Sequence, residues 1–179
     1  MYCGRGLEVC CGLINDLTIA RKQIKLKQLR LEALSGRVLV DTNVLIYATL
    51  EADWRYPRAR EVLNLRHRPG VELFTSVQNL AEMYPNLTGP KNQPPDSPEL
   101  AREKILAISR LRGLAVLPLT LETVRQTLEL CSVGKVTRQN YFDRQLAALM
   151  LREGIPTILT ENTADFLGIE GITTSNPFA

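Results

Sequence analysis

Short apolar runs alternate along this chain with stretches of helical spacing, and from residue 37 onward the alternation is regular. Val38-Leu39-Val40 is a β-branched run that stops at Asp41, where Thr42 and Asn43 can start a helix over Val44–Leu50. Trp54 and Pro57 open a second helical stretch, closed by Pro69 and Gly70. Glu72–Thr75 reads as a second strand. Ser76 reads as the cap of a helix that places Val77, Leu80, Ala81 and Tyr84 on one side. Gly89–Pro98 holds four prolines and is predicted to be a loop, the place for a flexible insert. Pro98 begins a helix through Arg112, Leu114–Leu119 is a third strand, and Thr120 caps a helix to about Ser132. A last helix runs from Tyr141 to about Glu153. Pro156–Thr160 and Ile172–Thr174 are the fourth and fifth strands. Strands alternating with helices predict an α/β fold, a central parallel sheet of about five strands covered on both faces.

The first 36 residues follow a different pattern. Leu13, Leu17, Ala20, Ile24, Leu31 and Leu34 recur at helical spacing, with Arg21, Lys22, Lys25 and Arg30 opposite, and Gly36 ends the run. An N-terminal basic amphipathic helix is predicted there; its apolar stripe packs on its own domain or on a second copy, or the helix binds a partner protein, an RNA backbone or a membrane surface. Charge separates the two parts. Residues 1–36 hold six basic and three acidic side chains, whereas residues 37–179 hold equal numbers of each sign. The division is therefore a basic leader over 1–36 and a neutral domain over 37–179.

With 179 residues, 45% hydrophobic and 23% charged, the chain fits one globular domain and excludes disorder. No apolar run reaches the roughly 20 residues of a membrane span, so no membrane association is expected. Leu7–Ile14, broken by Glu8 and Gly12, makes a poor secretory signal. Cys131 is the one cysteine beyond the leader and has no internal partner. A reducing, cytoplasmic location is expected.

The acids matter more. In doubly wound sheets ligands bind beyond the carboxyl ends of the strands. Asp41 ends the first strand, Glu82 lies on the helix after the second, Asp143 opens the helix before the fourth, and Glu161 and Asp165 follow the fourth. Singly, each has an ordinary reading as a helix-start or solvated acid. Together, Asp41, Glu82 and Asp143 sit in apolar company where an unpaired charge is costly. Converging carboxylates repel one another unless a cation sits among them, and an all-oxygen set suits Mg²⁺ or Mn²⁺. Glycine-rich phosphate loops and Gly-x-Ser-x-Gly are absent, and His67 lies in a surface-like Arg-His-Arg-Pro turn. Metal-assisted phosphate-ester chemistry is the leading class.

Four segments, in order, carry a resemblance: Val38-Leu-Val-Asp-Thr-Asn-Val-Leu-Ile-Tyr47, Asn79-Leu-Ala-Glu-Met-Tyr84, Tyr141-Phe-Asp-Arg-Gln-Leu-Ala-Ala148 and Ile158-Leu-Thr-Glu-Asn-Thr-Ala-Asp-Phe166, followed by Asn176-Pro-Phe178. This set resembles PIN domains, the ribonuclease fold typical of VapC-type toxins. The resemblance implies a PIN-like three-layer α/β/α fold and a Mg²⁺-dependent endoribonuclease (Mn²⁺ possible), the toxin of a type II toxin–antitoxin pair. Its implied partners are an RNA substrate, a cognate antitoxin and a second copy of the chain. It makes Asp41, Glu82 and Asp143 the acidic core with Asp165 as fourth acid, and Glu161 competes for that last place. Asp41, Asp143 and Asp165 would hold one or two ions, with Glu82 a ligand or the orienter of a water. Lys135, Arg138 and Arg144 are candidate phosphate contacts. Arg144 stands where relatives carry a small residue, and the leader has no counterpart in the family pattern. The competing readings are a PIN-like RNA-binding or scaffold protein without turnover, and a metal-dependent phosphatase.

Overall fold

The computed structural model describes residues 31–138 and 140–179. The helix expected over residues 13–34 falls almost wholly outside the described residues. Residues 35–178 form one compact unit. Its sheet holds five strands: β1 (Gly36–Val40), β2 (Val71–Ser76), β3 (Leu114–Leu117), β4 (Thr157–Leu159) and β5 (Thr173–Ser175). The strand order is β3-β2-β1-β4-β5, and every pairing is parallel. The connecting helices are α1 (Thr42–Tyr47), α2 (Tyr56–Asn64), α3 (Val77–Thr88), α4 (Pro98–Ser109), α5 (Leu121–Gly134) and α6 (Asn140–Arg152). The predicted parallel α/β sheet of five strands is the one observed.

Val38, Leu39 and Val40 are all fully buried. Consecutive strand residues point to opposite faces, so helices cover both sides of β1. α5 packs on α6, while α3 packs against α1 and α4. Leu39, Phe74, Leu149, Met150, Ile158 and Phe166 form the centre of one core cluster. In α6 every residue from Gln145 to Met150 is buried, so this stretch of the helix is enclosed on all sides. Among the described residues, no helix is long and apolar enough to cross a membrane.

Two expectations are corrected by packing. α3 does not bury the Val77–Tyr84 stripe, since Val77 is 48% and Tyr84 44% exposed. It buries Gln78, Asn79, Met83 and Leu87, because its first turns face a polar cluster at the end of the sheet and not the apolar core. The proline-rich loop is not a free insert. The Asp96 backbone N–H donates to the Leu87 carbonyl at 2.9 Å, and the Lys104 ammonium on α4 binds both Asp96 oxygens at 3.0 and 2.8 Å. With the Asp96 side chain only 8% exposed, this ion pair clips the loop to α4.

The strand order also fixes where chemistry can occur. β1 runs between β2 on one side and β4 on the other, so the connections leave it in opposite directions. That switch point opens a crevice at the carboxyl ends of β1 and β4.

Candidate functional site

Asp41 lies at the switch point by register. Val40 is paired with Leu159, so the next residues, Asp41 and Thr160, face each other where the ladder ends. Asp41 is the N-cap of α1, in extended conformation, and its Oδ1 accepts from the Thr42 backbone N–H at 2.7 Å. Oδ1 also accepts from Asn79 Nδ2 at 3.1 Å, while Oδ2 accepts from Thr160 Oγ1 at 2.6 Å and Asn43 Nδ2 at 2.9 Å. Burial pushes its carboxyl pKa up, donors from Thr160, Thr42 and Asn43 oppose that, and the Glu82 charge adds to it.

The strand–helix junction after β2 supplies the second acid. Ser76 caps α3, and its hydroxyl donates to Asn79 Oδ1 at 2.6 Å while accepting from the Asn79 N–H. This capping box fixes the Asn79 amide. Its Nδ2 donates to Asp41 and also to Thr42 Oγ1 at 3.0 Å. Thr42 Oγ1 in turn donates to Glu82 Oε2 at 3.0 Å. Asp41 and Glu82 are thus held by an unbroken chain of hydrogen bonds through Asn79 and Thr42. Gln78 Nε2 donates to Glu82 Oε1 at 2.9 Å and to the Phe142 carbonyl at 3.0 Å, tying α3 to the residue before Asp143. Among the described residues, Gln78 Oε1 is buried without a hydrogen-bond partner.

Asp143 completes the cluster from the first turn of α6. Among the described residues no hydrogen bond reaches its carboxylate. Its pKa is pushed up to about 6, by burial first and then by the charges of Asp165, Asp41 and Glu82, with Arg144 opposing. Asp165, exposed in a 3₁₀ turn at Thr163–Phe166, therefore acts on Asp143 from the cluster's edge. Arg144 does not face the cluster as a free cation; its guanidinium donates to the Asp165 carbonyl at 2.8 Å.

Asp41, Glu82 and Asp143 share the wall of a cleft of about 1070 Å³. Glu161 lines it too, but in another corner. Tyr47 Oη donates to Glu161 Oε2 at 2.6 Å, and Arg55 Nη1 reaches both Glu161 oxygens at 3.0 and 3.2 Å. The same guanidinium binds both Asp53 oxygens at 2.9 and 2.7 Å and lies 3.6 Å above the Tyr47 ring. Arg55 holds the Asp53 carboxyl below the usual carboxylate range. Lys135, Arg138 and Arg144 are not among the residues that line the cleft. Asn79, Gln78, Thr42 and Thr160 have no part in the sequence reading of the site. For Gln78 and Asn79 the signal is that they share a helix face with Glu82, beside Met83 and away from the expected apolar stripe.

The donor chemistry suits a hard cation. Each Asp41 oxygen already accepts two hydrogen bonds, each Glu82 oxygen accepts one, and Asp143 accepts none, so Glu82 and Asp143 have open lone pairs. Among the described residues, no three acidic, histidine or cysteine side chains close around a single point. That is compatible with Mg²⁺, which keeps several waters and uses one or two carboxylates. No basic side chain pairs with Asp41, Glu82 or Asp143 among the described residues, so a cation would relieve the repulsion that raises Asp143.

Comparison with known proteins agrees with the fold. VapC20 from Mycobacterium tuberculosis, described as a sarcin-ricin loop cleaving toxin, superposes with a TM-score of 0.57 at 18% identity, covering 75% of this chain and 98% of that one. The structure of VapBC2 from Rickettsia felis, bound to a DNA fragment from its promoter, gives 0.55 at 19% identity, with 78% and 98% covered. VapBC-1 from nontypeable Haemophilus influenzae gives 0.56 at 18% identity, with 80% and 99% covered. No curated protein matches in sequence. At such identities these structures speak to the fold alone. The family model for the PIN domain matches residues 38–169, most of the chain and all four segments that carry the acids, and the chain belongs to the PIN domain family.

Proposed function

We propose that this protein is a metal-dependent endoribonuclease, the toxin of a type II toxin–antitoxin pair. The observation that carries the reading is the convergence of Asp41, Glu82 and Asp143 on one cleft at the switch point, with no basic side chain paired to any of them among the described residues. Asp143 and Glu82 would hold Mg²⁺, or Mn²⁺, with Asp41 and Asp165 completing the acidic set. When bound, such an ion lowers the pKa of a coordinated water and neutralises charge on the attacked phosphate. Asn79 and Thr42 keep Asp41 and Glu82 in fixed orientation, and Gln78 holds α3 to α6 so that Glu82 and Asp143 keep their separation. The toxin assignment rests on the toxin–antitoxin complexes among the structural neighbours, as does an antitoxin partner; a cytoplasmic location rests on the single cysteine beyond the leader. A homodimer and a domain boundary near residue 36, with the basic leader outside the nuclease, belong to the same proposal.

The deciding experiment is incubation of the purified chain with RNA, with and without Mg²⁺. Cleavage that EDTA abolishes is expected. RNA binding without cleavage would move the assignment to a PIN-like binding or scaffold protein, a reading favoured by the full hydrogen-bond complement of Asp41.

A further inference from the structure

The cleft is acidic overall. Asp41, Glu51, Asp53, Glu82, Asp96, Asp143 and Glu161 face three cations, Arg55, Lys91 and Lys104. Two of the three are already committed. Arg55 is held between Asp53 and Glu161, and Lys104 is bound to both oxygens of Asp96. Among the described residues, Lys91 has neither ion pair nor hydrogen bond, and its side chain is exposed. A polyanion entering such a cleft is repelled by its walls except at a bound cation and at Lys91.

We infer that Lys91 is the phosphate anchor of this site. It would bind a backbone phosphate of a single RNA strand away from the acids and so set how the strand enters. The inference rests on the proposed nuclease reading and adds a contact to it. The fold supports the assignment beyond charge. A phosphate contact orients a substrate only if its own backbone is held, and the Lys91 loop is held at both ends. Asn92 donates through its side chain to the Leu87 carbonyl at 2.9 Å and through its backbone to the Gly89 carbonyl at 3.2 Å. On the far side, Asp96 is fixed by Leu87 and Lys104. The Asp96–Lys104 ion pair therefore has a second consequence. By clipping the loop to α4 it keeps Lys91 at the cleft.

The class of contact dictates its signature. A lysine–phosphate contact carries no base information, so its loss weakens binding equally across RNA sequences and reduces the salt dependence by about one ion released. The test compares the parent with Lys91→Ala and Lys91→Arg on fluorescein-labelled single-stranded RNAs of several sequences. Binding is followed by anisotropy with Ca²⁺ replacing Mg²⁺, and cleavage is followed with Mg²⁺. Lys91→Ala should raise Kd and KM by roughly five- to tenfold on every RNA and flatten the plot of log Kd against log salt by about 0.7. Its kcat should stay within about twofold, and Lys91→Arg should restore most of the loss. Unchanged Kd, KM and salt slope in Lys91→Ala would overturn the assignment, as would a loss confined to one RNA sequence. If the parent binds RNA but never cleaves it, the nuclease reading fails, while the anisotropy series still decides on Lys91. If the parent binds no RNA, both fail.

Discussion

Two corners of one cleft carry acids, and they behave in opposite ways. In one corner Asp53 and Glu161 surround Arg55, whose Nε and Nη2 donate to Asp53 and Nη1 to Glu161, and whose face rests on Tyr47. In the other, Asp41 and Glu82 have amide and hydroxyl donors, Asp143 has none, and among the described residues no cation pairs with any of the three. The first corner depresses the pKa of its acid, Asp53; the second raises those of Asp41 and Asp143. Acid content therefore does not distinguish a metal-ready pocket from a structural ion-pair network. What does is whether the fold has placed a basic side chain among the acids.

The comparison breaks most sharply at Asp143. Changing it to Asn keeps shape and removes one charge and one strong oxygen ligand. RNA cleavage should fall by at least ~100-fold, about 3 kcal/mol of transition-state stabilisation, and Mg²⁺ should raise the melting temperature of the parent more than that of the variant. In the same assay Glu161→Gln should stay within about threefold of the parent, since that carboxylate is already committed to Arg55 and Tyr47. Equal losses in the two variants would make the corners equivalent.

Arg55→Met is next in size. It strands two carboxylates that are mostly buried, with side-chain exposures of 18% and 31%. Urea unfolding at neutral pH should show a loss of about 2 kcal/mol. The sign with pH follows from the depressed Asp53. Stability from a lowered acid pKa is present above its unfolded value and disappears as pH falls through the folded value. Parent and variant should therefore converge in acid.

The smallest effect has the opposite sign. Burial and the neighbouring acids push the Asp143 carboxyl up to about 6, above its ordinary range, so the folded state is penalised as pH rises through that window and fully penalised above it. Metal-free Asp143→Asn should be more stable than the parent by about 1 kcal/mol at pH 7.5, a figure reduced for solvent screening of a half-buried group. The difference should vanish below about pH 4. A parent more stable than the variant at pH 7.5 without metal would mean that Asp143 already has a cationic partner.

The strand–acid relation was legible because it is local. A β-branched run ending in Asp-Thr-Asn announces both β1 and the cap that carries Asp41. The acids on helices were also legible, since Glu82 and Asp143 stand out against apolar neighbours. The face of α3 was not. Val77, Ala81 and Tyr84 make the better apolar stripe in sequence, yet burial follows Gln78, Asn79 and Met83, because the polar cluster to which they turn exists only once β1 and β4 lie side by side. Arg55 was hidden for a related reason. One of its partners is two residues away, but Glu161 is 106 residues away, and nothing local distinguishes it from any surface arginine. The loop at 89–97 misled through its prolines. They signal a break in regular structure, whereas its rigidity comes from an ion pair with the following helix.

The hydrogen bond from Thr160 to Asp41 spans 119 residues, and that distance along the chain is also an interval of time during synthesis. As the chain is made from its N-terminus, β1 and β2 can pair early and Asn79 can reach Asp41. α6 with Asp143 emerges much later, and β4, which covers the other edge of β1 and brings Thr160, later still. Until then the growing chain holds the acids in its sequence without the cluster that they form. The centre is thus among the last features to be assembled. A chain cut short between residues 143 and 157 carries Asp41, Glu82 and Asp143, yet lacks the strand that leads to Thr160 and sets Asp41 in place.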